Sequence, residues 1–591
     1  MIQHKWPTKT LILILLFLPL QGSCVNNPSP PKTSDLSAYM EKEMRRMMRK
    51  HHLPAFALSI VDDEKILYQD AKGYIDLENL IPATPSSVFK LLSVAKAFTA
   101  MEIFREVEEG RIDLNAPLTE YLPEFSIQSR FPENEPITVK SLLAHRSGLP
   151  RNGCLACFPE EGDSYTLDKF EKSTAECYMA FPFSYRYHYS NLGYNLLGRI
   201  VEQNRNMGFA HYMKIHLLND LGMESSTFNF DDIENPHYLA LGYEYYKRKH
   251  YPMFLANINS IPSGNLYSTI GDLSIFLQAF LNNKVFAEDN TVQQMYVDHF
   301  STKEDPETMG LGWKTRKLAG GDLMVWHDGG PDDGSGALIA MVPEQNLGLA
   351  MLANSTSFGS DKSVPLAINI FNRLIEEKTN SRPMHAEEPE PISIPTELLN
   401  EYEGLYMAWG MPMYVEARKS KLKGKIGGFA LDLIPVSETE FQVSHWMDKI
   451  GLTKIIKPPI AFDKLRISFP EQDSTDPGFL IINLDNISYE ICPRYPDQRS
   501  PEESWMHLLG SYELAGRLPG NKAGELWGNK YNIYLEDSVL KLSGVFGPII
   551  PQDDNFIRIV SGPFAGETME YFPDSGHLIH QNAVFVPYSE L

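Results

Sequence analysis

Apolar and polar positions change rhythm several times along this chain. Leu36, Met40, Met44 and Met47 recur at steps of four, four and three, one stripe of an α-helix with Asp35 as its N-cap. Core packing is enough to explain those methionines. Phe56–Val61 and Ile66–Tyr68 read as two strands around the turn Asp62-Asp63-Glu64-Lys65. Helical and loop pattern dominates from about residue 87 to 285. Strand-like runs return at Leu323–Trp326, Ala337–Val342 and Leu347–Leu352, and helical pattern follows over Pro365–Glu377. Strands at both ends of a helical middle predict one α+β domain, residues 35–378, whose sheet is completed by its last strands.

The pattern then breaks. His385–Pro395 holds three acids and three prolines, which neither a packed helix nor a central strand accepts, so 379–395 is read as a linker. Beyond it, short alternating runs and turns such as Lys423-Gly424 and Gly427-Gly428 predict an all-β domain over 396–591. An internal echo runs through it. Tyr402-Glu403-Gly404-Leu405-Tyr406 leads to Tyr414–Ala417 and Lys421-Leu422-Lys423; Gly510-Ser511-Tyr512-Glu513 leads to Tyr531–Glu536 and Val539-Leu540-Lys541. Similar hairpins in series suit a β-barrel.

The first residues follow a different logic. Met1–Thr10 carries His4, Lys5, Lys9 and no acid, and Leu11–Leu20 is an unbroken apolar run. A membrane-spanning helix needs about 20 apolar residues, so this run fits the centre of a signal peptide instead. Gly22, Ser23 and Cys24 follow, and two readings stand. In one, residues 1–24 form a lipoprotein-type signal, with Cys24 lipidated and the chain attached to a membrane, although Gln21 stands where such signals usually have leucine. In the other, ordinary cleavage releases a secreted product. Both readings place the chain outside the cytoplasm, in the periplasm or on the cell surface in the first case. The polar, Pro-rich residues 25–34 would serve as a tether or a frayed terminus.

Composition narrows the classes further. With 53 Lys and Arg against 76 Asp and Glu, the net charge of −23 argues against nucleic-acid binding, which needs a basic face. At 43% hydrophobic, the 591-residue chain can bury a large core. Cys154-Leu-Ala-Cys157 has no second ligand pair in the sequence, so no zinc site is expected; a local disulfide or reduced thiols fit better.

Three short segments carry candidate chemistry. Ser-x-x-Lys occurs at Ser29, Ser87, Ser93, Ser420 and Ser538, so the spacing alone decides nothing. Ser29 lies in the tether, and Ser420 and Ser538 in the β-rich region. Ser93 is preferred over Ser87 because Ala95, Ala97, Phe98, Ala100 and Met101 continue a buriable helix that would set Lys96 beside Ser93. Tyr189-Ser190-Asn191 precedes a helical pattern. A phenol beside an ammonium can relay a proton, and an amide can orient both the lysine and a carbonyl. His327-Asp328-Gly329-Gly330 follows the apolar strand LMVW, where glycine N–H groups can face a developing oxyanion. A Tyr-rich packing segment and an ordinary turn are the bland alternatives for these last two.

In this order the three segments resemble the serine β-lactamase and penicillin-binding-protein superfamily, specifically its class C-like branch of esterases and peptidases. Leu142–Leu149 (LLAHRSGL), Pro262–Thr269 (PSGNLYST) and Gly310–Trp313 (GLGW) are similar to its lesser signatures, with Asn265 replacing a glycine. The resemblance implies Ser93 as nucleophile, Lys96 as its activator, Tyr189 as proton-transferring phenol and Asn191 as positioning amide. It also implies an oxyanion hole from the N–H groups of Ser93 and Gly330, with His327 and Gly329 lining the substrate site, and an acyl-enzyme needing no metal or cofactor. His327 and Asp328 stand where drug-hydrolysing members usually carry lysine and threonine, so ester or peptide/amide hydrolysis is favoured over β-lactam hydrolysis. The substrate would be a small molecule or peptide. Residues 396–591 are similar to the lipocalin-like barrel of some members. A non-catalytic penicillin-binding-like sensor or scaffold, or a lipid carrier, is the alternative.

Overall fold

A computed structural model describes residues 33–587, apart from 132–134, 154–166, 168–170, 173, 234, 254–259, 289, 301–306, 331–333, 380–388, 409–410, 419–420, 427–428, 446–464, 470–478, 485–486, 496–502, 518–529, 537–538, 544–546, 553–554, 561–563 and 581–582. The leader with Cys24, the tether through residue 32, and Cys154 with Cys157 therefore lie outside the described residues.

The α+β domain is built on one antiparallel sheet. From edge to edge its strands are Ile81–Pro82, Ile66–Asp76, Ala55–Val61, Leu347–Ala353, Gly336–Val342, Leu323–Gly329, Lys314–Lys317 and Glu307–Met309. The N-terminal hairpin pairs with the last strand, Phe56 opposite Ala353, which closes the sheet across nearly 300 residues of intervening chain. Central strands are buried along their whole length, which is why they read as apolar runs rather than as alternation. One face packs against the helices Thr33–His51 and Ser360–Thr379, where Met40, Met44 and Met47 meet Phe56, Trp326 and Phe371. The other face carries the helices Ala95–Glu108, Asn191–Arg205 and Ile270–Leu281 and the larger core cluster.

One hairpin escapes the sequence pattern. Gly242–Tyr246 and Lys249–Met253 pair in the stretch read as helix and loop. Their turn is Lys247-Arg248, both at positive φ (46° and 66°), where glycine or asparagine would ordinarily announce it.

The C-terminal region is all-β and barrel-forming, as expected, but it closes into two barrels rather than one. Gly404–Ala408 through Ile487–Tyr495 close one eight-stranded barrel, and Gly510–Arg517 through Ala583–Pro587 close a second. The internal echo marks the first three strands of each, so it records two complete units rather than hairpins within one. Eight strands give an interior just wide enough to be filled by side chains. Each interior is filled: Phe441, Ile467 and Leu480 pack in the first, and Ile533, Ile557 and Met569 in the second. Met407, Tyr495, Val539 and Val560 join the two barrels, with the Tyr495 hydroxyl donating to the Ile549 carbonyl at 3.2 Å.

Candidate active site

Ser93 sits in the turn between the strand Phe89–Leu92 and the helix Ala95–Glu108, not on the helix itself. Leu92 adopts φ +52°, a sharp elbow that lifts Ser93 clear of the strand. Lys96 N–H donates to the Ser93 carbonyl at 3.0 Å, so the three-residue step still sets both side chains together, with Nζ 3.4 Å from Ser93 Oγ. Ser87 is elsewhere. Its buried Oγ accepts from Thr84 N at 3.0 Å and stabilises a turn.

The second segment arrives at the head of Asn191–Arg205. Ser190 caps that helix, its Oγ accepting from Gly193 N at 3.0 Å and donating to the Pro150 carbonyl at 2.8 Å. Flanking this cap, Tyr189 donates its hydroxyl to Ser93 Oγ at 2.7 Å, and Asn191 Oδ1 accepts from Lys96 Nζ at 2.7 Å. The LLAHRSGL segment supports them from behind. His145 Nδ1 accepts from Ser190 N–H at 3.0 Å, and its ring lies 4.4 Å from that of Tyr189.

Lys96 Nζ also donates to the Ser263 carbonyl, at 2.6 Å, which gives the PSGNLYST segment a chemical reason. A neutral amine has two N–H groups and one lone pair. Asn191 Oδ1, Ser263 O and, at 3.4 Å, Ser93 Oγ face the three hydrogens of the ammonium, and loss of one proton would leave two of them on Asn191 and Ser263 and a lone pair for Ser93. Electrostatics agrees: burial pushes the Lys96 amine well below the ordinary lysine value, and Arg151 adds to the push. The Tyr189 phenol moves the other way. Burial raises it above the ordinary tyrosine value, although the hydrogen bond with Ser93 and the nearby Arg151 pull downward. The shift favours the neutral form of the lysine, and the phenol keeps its proton at neutral pH.

His327 and Gly329 end the strand Leu323–Gly329 next to this turn. A Cβ on Gly329 would lie 2.2 Å from the Leu91 carbonyl oxygen, so only glycine lets the two strands approach this closely. Gly330 follows at the strand's end. The His327 ring is buried and its Nδ1–H donates to the Asp328 carbonyl at 2.9 Å, leaving Nε2 as an acceptor with no partner among the described residues. Burial above all, with Lys314 and Lys96 adding to it, brings the His327 pKa down to about 3 against the pull of Asp328, so the ring is neutral. Burial would raise the Asp328 carboxyl, but the Lys314 ammonium, at 2.7 Å, holds it below the usual range.

Four contributors carry no role in the sequence reading: Ser263, His145, and Arg151 with Asn152. Asn152 Oδ1 accepts from Asn191 Nδ2 at 2.8 Å, and the Arg151 carbonyl accepts from Asn191 N at 2.6 Å. Both lie within three residues of the end of LLAHRSGL, which was the available signal. Glu567 had none. It reaches Arg151 N at 2.8 Å from 416 residues away, in the second barrel. That barrel docks further through Arg130 to the Gly566 carbonyl at 3.3 Å and through the rings of Tyr178 and Phe556.

Among the described residues no cluster of three or more His, Cys, Asp or Glu side chains could hold a metal ion. The arrangement can deprotonate a serine and hold its neighbours in register.

Comparison with known proteins bears on the family and the fold. Protein flp of Staphylococcus aureus (strain MW2) is 27% identical over 334 residues, 55% of this chain and 64% of that protein, so the chain spans just under two thirds of its length. Beta-lactamase-like protein 2 of Dictyostelium discoideum is 26% identical over 414 residues, 66% of this chain and 75% of that protein. Among solved structures, SurE has a TM-score of 0.54 at 20% identity, covering 78% of this chain and 100% of SurE. The octameric penicillin-binding protein homologue from Pyrococcus abyssi has a TM-score of 0.50 at 22% identity, covering 77% and 99%. Those two likenesses concern the fold alone. The Beta-lactamase family model matches residues 40–370, more than half of the chain. The chain belongs to the Beta-lactamase family, a serine hydrolase superfamily, and carries two β-barrels behind its hydrolase-like domain.

Proposed function

We propose that this protein is an exported serine hydrolase that works through an acyl-enzyme on ester or peptide/amide substrates. The observation that carries the reading is the convergence of Tyr189, Lys96 and Asn191 on Ser93. Neutral Lys96 takes the Ser93 proton as Oγ attacks the carbonyl, and the tetrahedral oxygen is received by the N–H groups of Ser93 and Gly330. Tyr189 returns a proton to the leaving group and is reprotonated from Lys96. Water then cleaves the ester on Ser93 with the proton traffic reversed. Neutral His327 supplies a hydrogen-bond acceptor, which supports esters and amides over substrates that need a fixed positive charge at that position. Export by the leader, with lipid attachment at Cys24, belongs to the same proposal. A substrate screen tests it: p-nitrophenyl esters, D-amino-acid amides and β-lactams are offered to wild type and Ser93→Ala. Turnover of esters or amides lost in Ser93→Ala is expected; no turnover of any class, or turnover unaffected by the substitution, overturns the reading.

A further inference from the structure

The positive charges around Ser93 do not all act as charges. Lys96 is buried and engaged by Asn191 Oδ1, Ser263 O and Ser93 Oγ, and Lys314 is paired with Asp328 at 2.7 Å. His327 presents a lone pair. Arg151 differs from all of these. Its guanidinium lies over the Tyr189 ring, 5.0 Å from the centroid, and no carboxylate or carbonyl among the described residues accepts from it. A guanidinium cannot release its proton in a protein, so a full positive charge stands half-buried beside the reacting hydroxyl.

The backbone of Arg151 is held firmly while its side chain is left to the cleft. Its carbonyl accepts from Asn191 N and Leu192 N at 2.6 and 3.2 Å, and its N–H donates to Glu567 Oε1 at 2.8 Å. Glu567 in turn contacts His580 Nε2 through Oε2 at 2.9 Å, deep in the docked face of the second barrel. The Glu567 carboxylate thus engages the Arg151 backbone, and the guanidinium is left over the Tyr189 ring.

We propose that Arg151 is the anion-recognising residue of this cleft, fixed there by Glu567 of the second barrel, and that the acyl group of the substrate carries a carboxylate. The inference rests on the serine hydrolase reading above. A planar guanidinium takes a carboxylate through two parallel hydrogen bonds, which fixes the acyl chain as well as attracting it. Its place on the face of Tyr189, whose hydroxyl contacts Ser93, puts that carboxylate a few bonds from the scissile carbonyl.

The test compares p-nitrophenyl hexanoate with mono-p-nitrophenyl adipate, two six-carbon acyl chains that differ in a terminal carboxylate, on the full chain. Arg151→Ala is expected to raise KM for the adipate about tenfold or more relative to KM for the hexanoate, the range of a lost charge-assisted hydrogen bond, while kcat falls alike for both esters as Lys96 loses its neighbouring charge. Arg151→Lys should restore part of the adipate affinity. Glu567→Gln, which keeps the acceptor oxygen, should retain the preference, and Glu567→Ala should erode it. Equal changes of KM for both esters in Arg151→Ala, or a wild type indifferent to the carboxylate, overturn the proposal. The thermal midpoint of each variant serves as the folding control. If the hexanoate is cleaved with dependence on Ser93 and Arg151 has no selective effect, only this inference fails; if neither ester is cleaved, the hydrolase reading fails with it.

Discussion

Replacing Lys96 by methionine removes the amine and keeps the length of the side chain. An ordinary lysine, at 10.5, would be neutral in only about one molecule in a thousand at pH 7.5. Each unit by which burial and Arg151 lower that value recovers a factor of ten in competent enzyme, so the environment of Lys96 is worth up to about a thousandfold in rate. General-base assistance itself contributes about 10²- to 10⁴-fold, or ~3–5 kcal/mol of barrier, so Lys96→Met should lose activity in that range. The sign of the pH effect follows. The neutral amine is the competent form, so the rate falls as pH falls through the folded-state value, and that limb should lie well below 10.5. The assay is p-nitrophenyl ester hydrolysis followed from pH 5 to 10, with the thermal midpoint of each variant measured alongside. A wild-type limb near the ordinary lysine value, or a folded Lys96→Met retaining most of its activity, would refute the assignment.

Three other outcomes follow from the same geometry. Ser87→Ala should keep activity within about threefold and lose roughly 1 kcal/mol of stability, the worth of its bond to Thr84 N; abolished turnover in a folded variant would move the nucleophile to Ser87. Gly312 has φ +93°, and a Cβ there would lie 2.3 Å from Ala100 Cβ on the helix that carries Lys96. Gly312→Ala should therefore cost about 1–3 kcal/mol, seen as a lower Tm and partly recovered by Ala100→Gly; an unchanged Tm contradicts the packing. Burial pushes the Glu102 carboxyl from 4.5 to about 7, despite Arg105 and the Tyr212 hydroxyl. Between those values the folded chain keeps a proton that the unfolded chain releases, so stability falls as pH rises, by about 3 kcal/mol across the window. Glu102→Gln cannot titrate there, and its Tm relative to wild type should climb between pH 5 and 8; a constant difference would contradict the buried, protonated carboxyl.

What the sequence disclosed follows from how local each feature is. Strands buried on both faces announced themselves as apolar runs, and the helix after Ser93 as an alanine-rich stretch, because burial alone set both patterns. The turn Lys247-Arg248 did not, since its conformation is imposed by the hairpin around it. The echo at Tyr402 and Gly510 was legible, but its meaning was not: whether sixteen strands close once or twice depends on which strand pairs with which. At the site, Ser-x-x-Lys and Tyr-x-Asn were visible as spacings. The burial that lowers the Lys96 amine and raises the Tyr189 phenol was not, because it depends on how distant segments pack around them. Glu567 was invisible for the plainest reason, as its partner lies 416 residues away.

Capture of the acyl-enzyme tests the central claim most directly. The protein is mixed with a p-nitrophenyl ester, quenched in acid, weighed intact by mass spectrometry, and mapped by peptide. One acyl adduct on the peptide containing Ser93, absent from Ser93→Ala, is the predicted result. An adduct on another residue, or equal acylation of Ser93→Ala, would contradict the account.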